Sequence, residues 1–123
     1  MTATITPDQD TRALGERWPL ALNDLDQFAE MCSDDCQVWH STDAKWVPVP
    51  QAVEDARRRV GGGEPNFEPR GLTYTENGFL NQAFIAVELM GQPMRIHVVQ
   101  IVDVEDGKAV RVQEYVGPEM PVE

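Results

Sequence analysis

At 123 residues, with 41% apolar and 25% charged side chains, the chain is sized for one globular domain that buries a real core with little stability to spare. Its formal net charge of -11 and pI near 4.4 argue against nucleic acid and anionic membrane surfaces as partners, and disfavour long-range capture of an anionic substrate. No apolar run approaches a membrane span, and the stretch from Met1 to Pro7 lacks the basic start and apolar centre of a signal peptide, so a cytoplasmic location is expected.

Thr6-Pro7-Asp8-Gln9 predicts a helix start, with Thr6 as cap, Pro7 at the first helical position and Gln9 completing a capping box. Leu14, Trp18, Ala21, Leu22 and Leu25 then recur at helical spacing, and Pro19, without an amide hydrogen, is expected to interrupt or kink that helix. A second short helix is expected over 24–31, closed by Asp34-Asp35, and a first strand over 36–41, followed by a loop that carries Trp46. Cys32 on the helix and Cys36 at the strand start read as two buried free thiols, since too few histidines and cysteines lie nearby for a zinc site.

Pro48-Val49-Pro50 opens a third helix with Ala52, Val53, Ala56 and Val60 as its apolar stripe. Arg57-Arg58-Arg59 sits where that helix ends, and complements its dipole rather than forming a binding patch. Gly61-Gly62-Gly63 comes after a helix instead of leading into one, so it reads as a C-cap and hinge, not a phosphate cradle, and begins a mobile connection through Pro69. Four strands are then expected, at 72–76, 79–90, 94–104 and 108–116, with turns at Asn77-Gly78, Gly91-Gln92-Pro93 and Glu105-Asp106-Gly107. Helices first and a meander of long antiparallel strands after is an α+β pattern, here a single domain over 1–123 with flexible tails at 1–7 and 119–123. The strand over 94–104 is apolar on both faces, Ile96, Val98 and Val102 on one and Val99 and Ile101 on the other. Helices can cover one face and a second subunit the other, so a homodimer through the outer sheet face is expected.

Asp34-Asp35-Cys36-Gln37-Val38-Trp39-His40 is the stretch that speaks most directly to chemistry. It delivers one of only two histidines to the end of a strand, and imidazole titrates near neutrality, which makes His40 a candidate general base. Asp43 lies just beyond it, either pairing with the imidazole or solvated in the loop.

The order helix, short helix, strand, helix, long curved sheet resembles the NTF2-like cone fold, and within it the SnoaL-like and ketosteroid-isomerase-like group, over roughly Thr11 to Pro118. Asp24-Leu25-Asp26 with Asp34 through His40 is similar to the group's helix-to-strand passage, and Asn77-Gly78-Phe79-Leu80-Asn81-Gln82 to its long-strand opening. Glu105-Asp106-Gly107-Lys108 with Val112-Gln113-Glu114-Tyr115-Val116 resembles its terminal hairpin. The resemblance implies a curved, mostly antiparallel sheet wrapped around N-terminal helices and enclosing a pocket. The isomerases move a proton with an aspartate near the end of the first strand, a position that falls here on His40. Their oxyanion-holding tyrosine and neutral aspartic acid fall near Trp18 and on Gln100. The chain departs from the isomerases at all three places. The substituted set still makes chemical sense, with His40 able to accept a proton and Gln100 and the Trp18 indole able to donate hydrogen bonds without titrating.

Side-chain alternation extends the resemblance. If Gln100 faces the pocket, so do Val98 on its strand and Asn81, Ala83, Ile85 and Val87 on the preceding one, while His97 faces away. Val38, Val112 and Val116 join this lining, and Trp46 either lines the mouth or packs on the third helix. Glu114 shares the parity of Val112 and Val116, where it would orient His40 or act as an acid; on the opposite parity it is a surface residue. In function, the resemblance implies a small cofactor-free and metal-free enzyme acting on an apolar or polycyclic molecule by proton transfer next to a carbonyl, as isomerase, aldol-type cyclase or dehydratase. A non-catalytic ligand-binding or dimerisation module of the same fold is the alternative. Epoxide hydrolysis through an Asp-Arg-Asp arrangement ranks last, since 79–90 holds neither Asp nor Arg.

Overall fold

The computed structural model describes residues 6–120, with only the backbone of Leu89. Its elements are α1 (Gln9–Ala21), α2 (Leu25–Glu30), β1 (Cys32–His40), β2 (Lys45–Pro48), α3 (Val49–Arg59), β3 (Phe67–Thr75), β4 (Gly78–Leu89), β5 (Gln92–Glu105) and β6 (Lys108–Pro118). They build one sheet of six strands in the order β2-β1-β6-β5-β4-β3, antiparallel except where β1 runs parallel to β6. The helices cover the inner face of this curved, unclosed sheet, which is the α+β cone expected from the element order.

Helix α1 starts two residues later than expected. Asp8, not Thr6, is the cap, and its carboxylate accepts the Thr11 amide at 2.7 Å. Pro19 does not end the helix, which runs on to Ala21 with the Leu22 amide still bonded to the Trp18 carbonyl at 3.2 Å. Trp18 is fully buried and meets Phe28 and Phe79 edge to face at 5.2 and 5.3 Å, so burial of this aromatic holds the turn that proline weakens.

Helix α2 ends at Glu30, and Asp34-Asp35 does not close it. Both aspartates lie within β1, where the pairing with β6 slips between Cys32 and Gln37 and leaves them exposed. Cys32 therefore belongs to the strand rather than to a helix; it and Cys36 are buried free thiols. The segment after β1, expected as loop, forms β2, which sets Trp46 opposite Trp39. Likewise β3 begins at Phe67, inside the expected mobile connection; Pro69 is tolerated because β3 is an edge strand whose register slips there.

The hairpin turns also differ in detail. Met90-Gly91 and Asp106-Gly107 carry paired positive φ angles, 53° and 78°, 51° and 74°, the two-residue turns suited to twisted strands. The first hairpin turns instead at Glu76-Asn77, and Gly78 is the first residue of β4. Glycine is required there by crowding, since a Cβ would meet the Val102 carbonyl oxygen at 2.1 Å. Of the expected tails, 1–5 and 121–123 lie outside the described residues. Glu119 is tied down, its amide donating to the Arg95 carbonyl at 2.9 Å.

Candidate active site

Register brings the polar residues together. Across β4, β5, β6 and β1, Asn81 pairs with Gln100, Gln100 with Glu114 and Glu114 with His40, so four polar side chains form one transverse row on the inner face. Apolar rows flank it, Phe79–Val102–Val112–Val38 on one side and Ala83–Val98–Val116 on the other. Every member of the polar row is buried. A buried polar group without partners is costly, so the row must satisfy itself.

It does so with a fixed polarity. The Trp18 indole can only donate, and its Nε1–H reaches Gln100 Oε1 at 2.8 Å. Asn81 donates to the same oxygen at 3.2 Å. With its carbonyl so occupied, Gln100 turns its amide nitrogen to Glu114 Oε1 at 2.9 Å. Glu114 must then accept, and its other oxygen meets His40 Nε2 at 3.2 Å. Burial is the largest influence on Glu114 and pushes its pKa up. The hydrogen bond and charge of His40, the Gln100 amide and the charge of Arg59 together outweigh it, and hold the carboxyl below its ordinary value. Glu114 Oε2 thus faces His40 Nε2, and among the described residues the other ring nitrogen, Nδ1, has no hydrogen-bond partner. Among the described residues the one buried side-chain acceptor without a partner is Asn81 Oδ1, left over because the Trp18-bound oxygen of Gln100 claims the Asn81 amide nitrogen.

Beside the row lies a cavity of about 310 Å³, closed by α2, α3 and Phe67 opposite the sheet. His40, Gln100 and Glu114 line it, as do Val38, Ile85, Val98, Val112 and Val116 from the strands. Leu22, Leu25, Phe28, Ala52, Val53, Ala56 and Val60 complete an apolar enclosure in which only Thr42 and Arg59 add polar groups. Such a form, apolar with a few convergent polar groups, suits a small molecule. Glu114 thus takes the inward parity, pairing with His40.

Four expected site residues do not reach this cavity. Trp18 lies behind Gln100 and spends its only N–H on it, so it positions the amide and cannot also hold a substrate oxygen. Asn81 likewise backs Gln100. Ala83 is buried on the same face, but its single methyl falls short of the cavity. Trp46 is on the opposite face of the sheet, 6.5 Å from the Trp39 ring and under the Arg111 guanidinium at 4.5 Å, because β2 pairs it with Trp39. Asp43 does not pair with the imidazole; it is exposed and accepts the Lys45 amide at 3.2 Å. His97 faces outward and meets Glu119 at 3.1 Å. Thr42 and Arg59 are the polar lining residues that sequence reasoning passed over. The stripe of Ala52, Val53, Ala56 and Val60 was the available signal for Arg59, which lies next to Val60 on the same helix end.

No family model and no curated protein matches the sequence. Among solved structures, the chain is similar to an NTF-2-like protein of unknown function from Burkholderia xenovorans LB400, with TM-score 0.72, 18% identity, and 94% of this chain and 88% of that one covered. It is similar to a putative SnoaL-like polyketide cyclase from Jannaschia sp. CCS1, with TM-score 0.72, 11% identity and 94% and 91% covered. An LEH-like epoxide hydrolase from M. tuberculosis matches with TM-score 0.67, 15% identity and 88% and 83% covered. Among the described residues no helix is long and apolar enough to cross a membrane. The chain has the NTF2-like fold, an α+β cone with a pocket between helices and sheet.

Proposed function

We propose that the cavity binds a small apolar molecule and that His40 abstracts a proton from the carbon next to its carbonyl. The observation that carries this reading is the buried His40–Glu114 pair at 3.2 Å on the cavity wall, with Nδ1 left without a partner. In the step proposed, Nδ1 takes the α-proton and the C–H electron pair moves into an enolate. Glu114 steadies the imidazolium that forms, and the amide hydrogen of Gln100 not given to Glu114 donates to the enolate oxygen. The imidazolium then returns its proton to another carbon in an isomerase, to the alkoxide formed by attack of the enolate on a second carbonyl in an aldol-type cyclase, or to a β-hydroxyl that leaves as water in a dehydratase. None of these steps draws on a cofactor. A putative SnoaL-like polyketide cyclase is among the structural neighbours, which supports the cyclase branch of this reading.

The test is exchange of the α-protons of 2-tetralone, a two-ring enolisable ketone, followed by proton NMR in deuterated buffer. The wild-type chain is expected to accelerate exchange over buffer, His40→Gln to lose the acceleration about 10²–10⁴-fold, and Glu114→Gln to lose about tenfold or more. Exchange no faster than buffer, or undiminished in His40→Gln, contradicts the reading.

A non-catalytic binding module of the same fold is the second reading, and it has its own support: Trp18, the residue placed nearest the isomerase tyrosine, spends its hydrogen on Gln100. Binding of 2-tetralone without exchange would favour it. Epoxide hydrolysis ranks below both, although an epoxide hydrolase is among the structural neighbours. The cavity offers one carboxylate, Glu114, where an Asp-Arg-Asp arrangement needs two. We further propose a homodimer through the outer face of β2, β1 and β6, where Trp39, Trp46 and Tyr115 cluster and Trp46 and Tyr115 are 40% and 43% exposed.

A further inference from the structure

The three consecutive arginines at the end of α3 do not share one role. Arg57 pairs with Asp26 at 3.1 Å and Glu64 at 2.9 Å. Arg58 pairs with Glu54 at 3.3 Å and Asp55 at 3.4 Å. Arg59 pairs with no carboxylate among the described residues, although the chain has an excess of eleven negative charges from which to supply one. It is also the one arginine of the three that lines the cavity, and its charge is felt at Glu114. No other lysine or arginine lines that cavity, and the only carboxylate there is already engaged by His40 and Gln100.

We infer that Arg59 is the specificity-determining residue of the cavity and selects a ligand with an apolar body and a carboxylate, or an equivalent anionic group, at the end nearest solvent. The inference rests on the cavity being the binding site proposed above. An exposed guanidinium at the rim of an apolar enclosure gives an amphipathic anion what neither half of the wall gives alone. The rings or chain of the ligand sit against Leu25, Phe28 and Ile85, and its carboxylate takes a charge-assisted, two-pronged contact. At about 310 Å³ the cavity is at the small end for organic ligands, which suits one or two rings rather than four. The net charge of -11 repels anions at a distance, so a preference for a carboxylate must come from a local contact of this kind.

The experiment compares 2-naphthoate with 2-naphthalenemethanol, which share their rings and differ in charge. Binding of each is measured by calorimetry to the wild-type chain, Arg59→Gln and Arg58→Gln, all checked for folding by circular dichroism. The expected result is that the carboxylate binds the wild-type chain about tenfold more tightly than the alcohol. Arg59→Gln removes that advantage and leaves the affinity for the alcohol within about twofold, while Arg58→Gln keeps the advantage. Equal binding of the two probes, or equal loss in both variants, overturns the role of Arg59 and leaves the cavity as a binding site. Failure of both probes to bind the folded wild-type chain overturns the binding site itself, and the inference with it.

Discussion

At the scale of single residues, the site is governed by which atoms can only donate. The Trp18 indole fixes the Gln100 carbonyl, the Gln100 amide fixes Glu114 as acceptor, and Glu114 fixes the imidazole. Trp18→Phe should therefore act at a distance. It removes a buried hydrogen bond and leaves the Gln100 carbonyl held by Asn81 alone, which should cost about 1–3 kcal/mol in chemical denaturation. It should also slow α-proton exchange about tenfold with little change in ligand affinity, because Trp18 does not touch the cavity. Glu114 contributes to the acid limb of stability. Its carboxyl titrates below its ordinary 4.5 in the folded chain, so the unfolded chain binds more protons just below that pH. Stability contributed by Glu114 is present above 4.5 and is lost as pH falls through the folded value. Denaturation free energies measured between about pH 3 and pH 5 should fall less steeply on acidification in Glu114→Gln than in the wild-type chain. Of this network, the sequence made His40, Gln100 and Glu114 visible as candidates. It did not show that Trp18 is spent on Gln100, because that contact spans 82 residues.

At the scale of elements, the parity of Glu114 is decided by one extra residue. The Asp106-Gly107 turn pairs Glu105 with Lys108 and Val104 with Ala109, and that register carried upward would set Gln100 opposite Gln113. A bulge between Asp103 and Val104 shifts the pairing by one, sets Asp103 against Arg111, and brings Glu114 to Gln100. Nothing in the local composition of 103–111 announces that bulge, which is why the sequence left both faces open. The β4–β5 register, by contrast, is set directly by the two-residue turn at Met90-Gly91. Gly78 is a second feature visible only in the assembled sheet. Gly78→Ala should cost about 3 kcal/mol in thermal or chemical denaturation, since its Cβ would collide with the Val102 carbonyl oxygen at 2.1 Å. Gly63→Ala, with no atom within 4 Å of the added carbon, should fall within about 0.5 kcal/mol of the wild type.

For the whole molecule, element order was enough to bring out the cone, although the structural neighbours named above are only 11–18% identical. Order survives because the fold needs helices to cover a long curved sheet, and many apolar sequences satisfy that need. The outer face is a different matter. Expected contact between Trp46 and the pocket gave way to an aromatic cluster on the opposite side, with Trp39 5.1 Å from Tyr115. If that face holds a second copy, Trp39→Glu combined with Trp46→Glu should convert a dimer into a folded monomer in analytical ultracentrifugation. A wild-type chain that sediments as a monomer at tens of micromolar would contradict the dimer.

The central claim is that Glu114 holds the His40 imidazole with Nε2 protonated and Nδ1 open to the cavity. Long-range proton–nitrogen NMR correlation on chain labelled with ¹⁵N at histidine reads this directly, because the two tautomers give different nitrogen shifts. His97, the only other histidine, is assigned by its own substitution. Neutral His40 is predicted to carry its proton on Nε2, its Nδ1 resonance to move when 2-tetralone binds, and Glu114→Gln to disturb the tautomer. A proton on Nδ1, or an Nδ1 resonance indifferent to bound ketone, would contradict the claim.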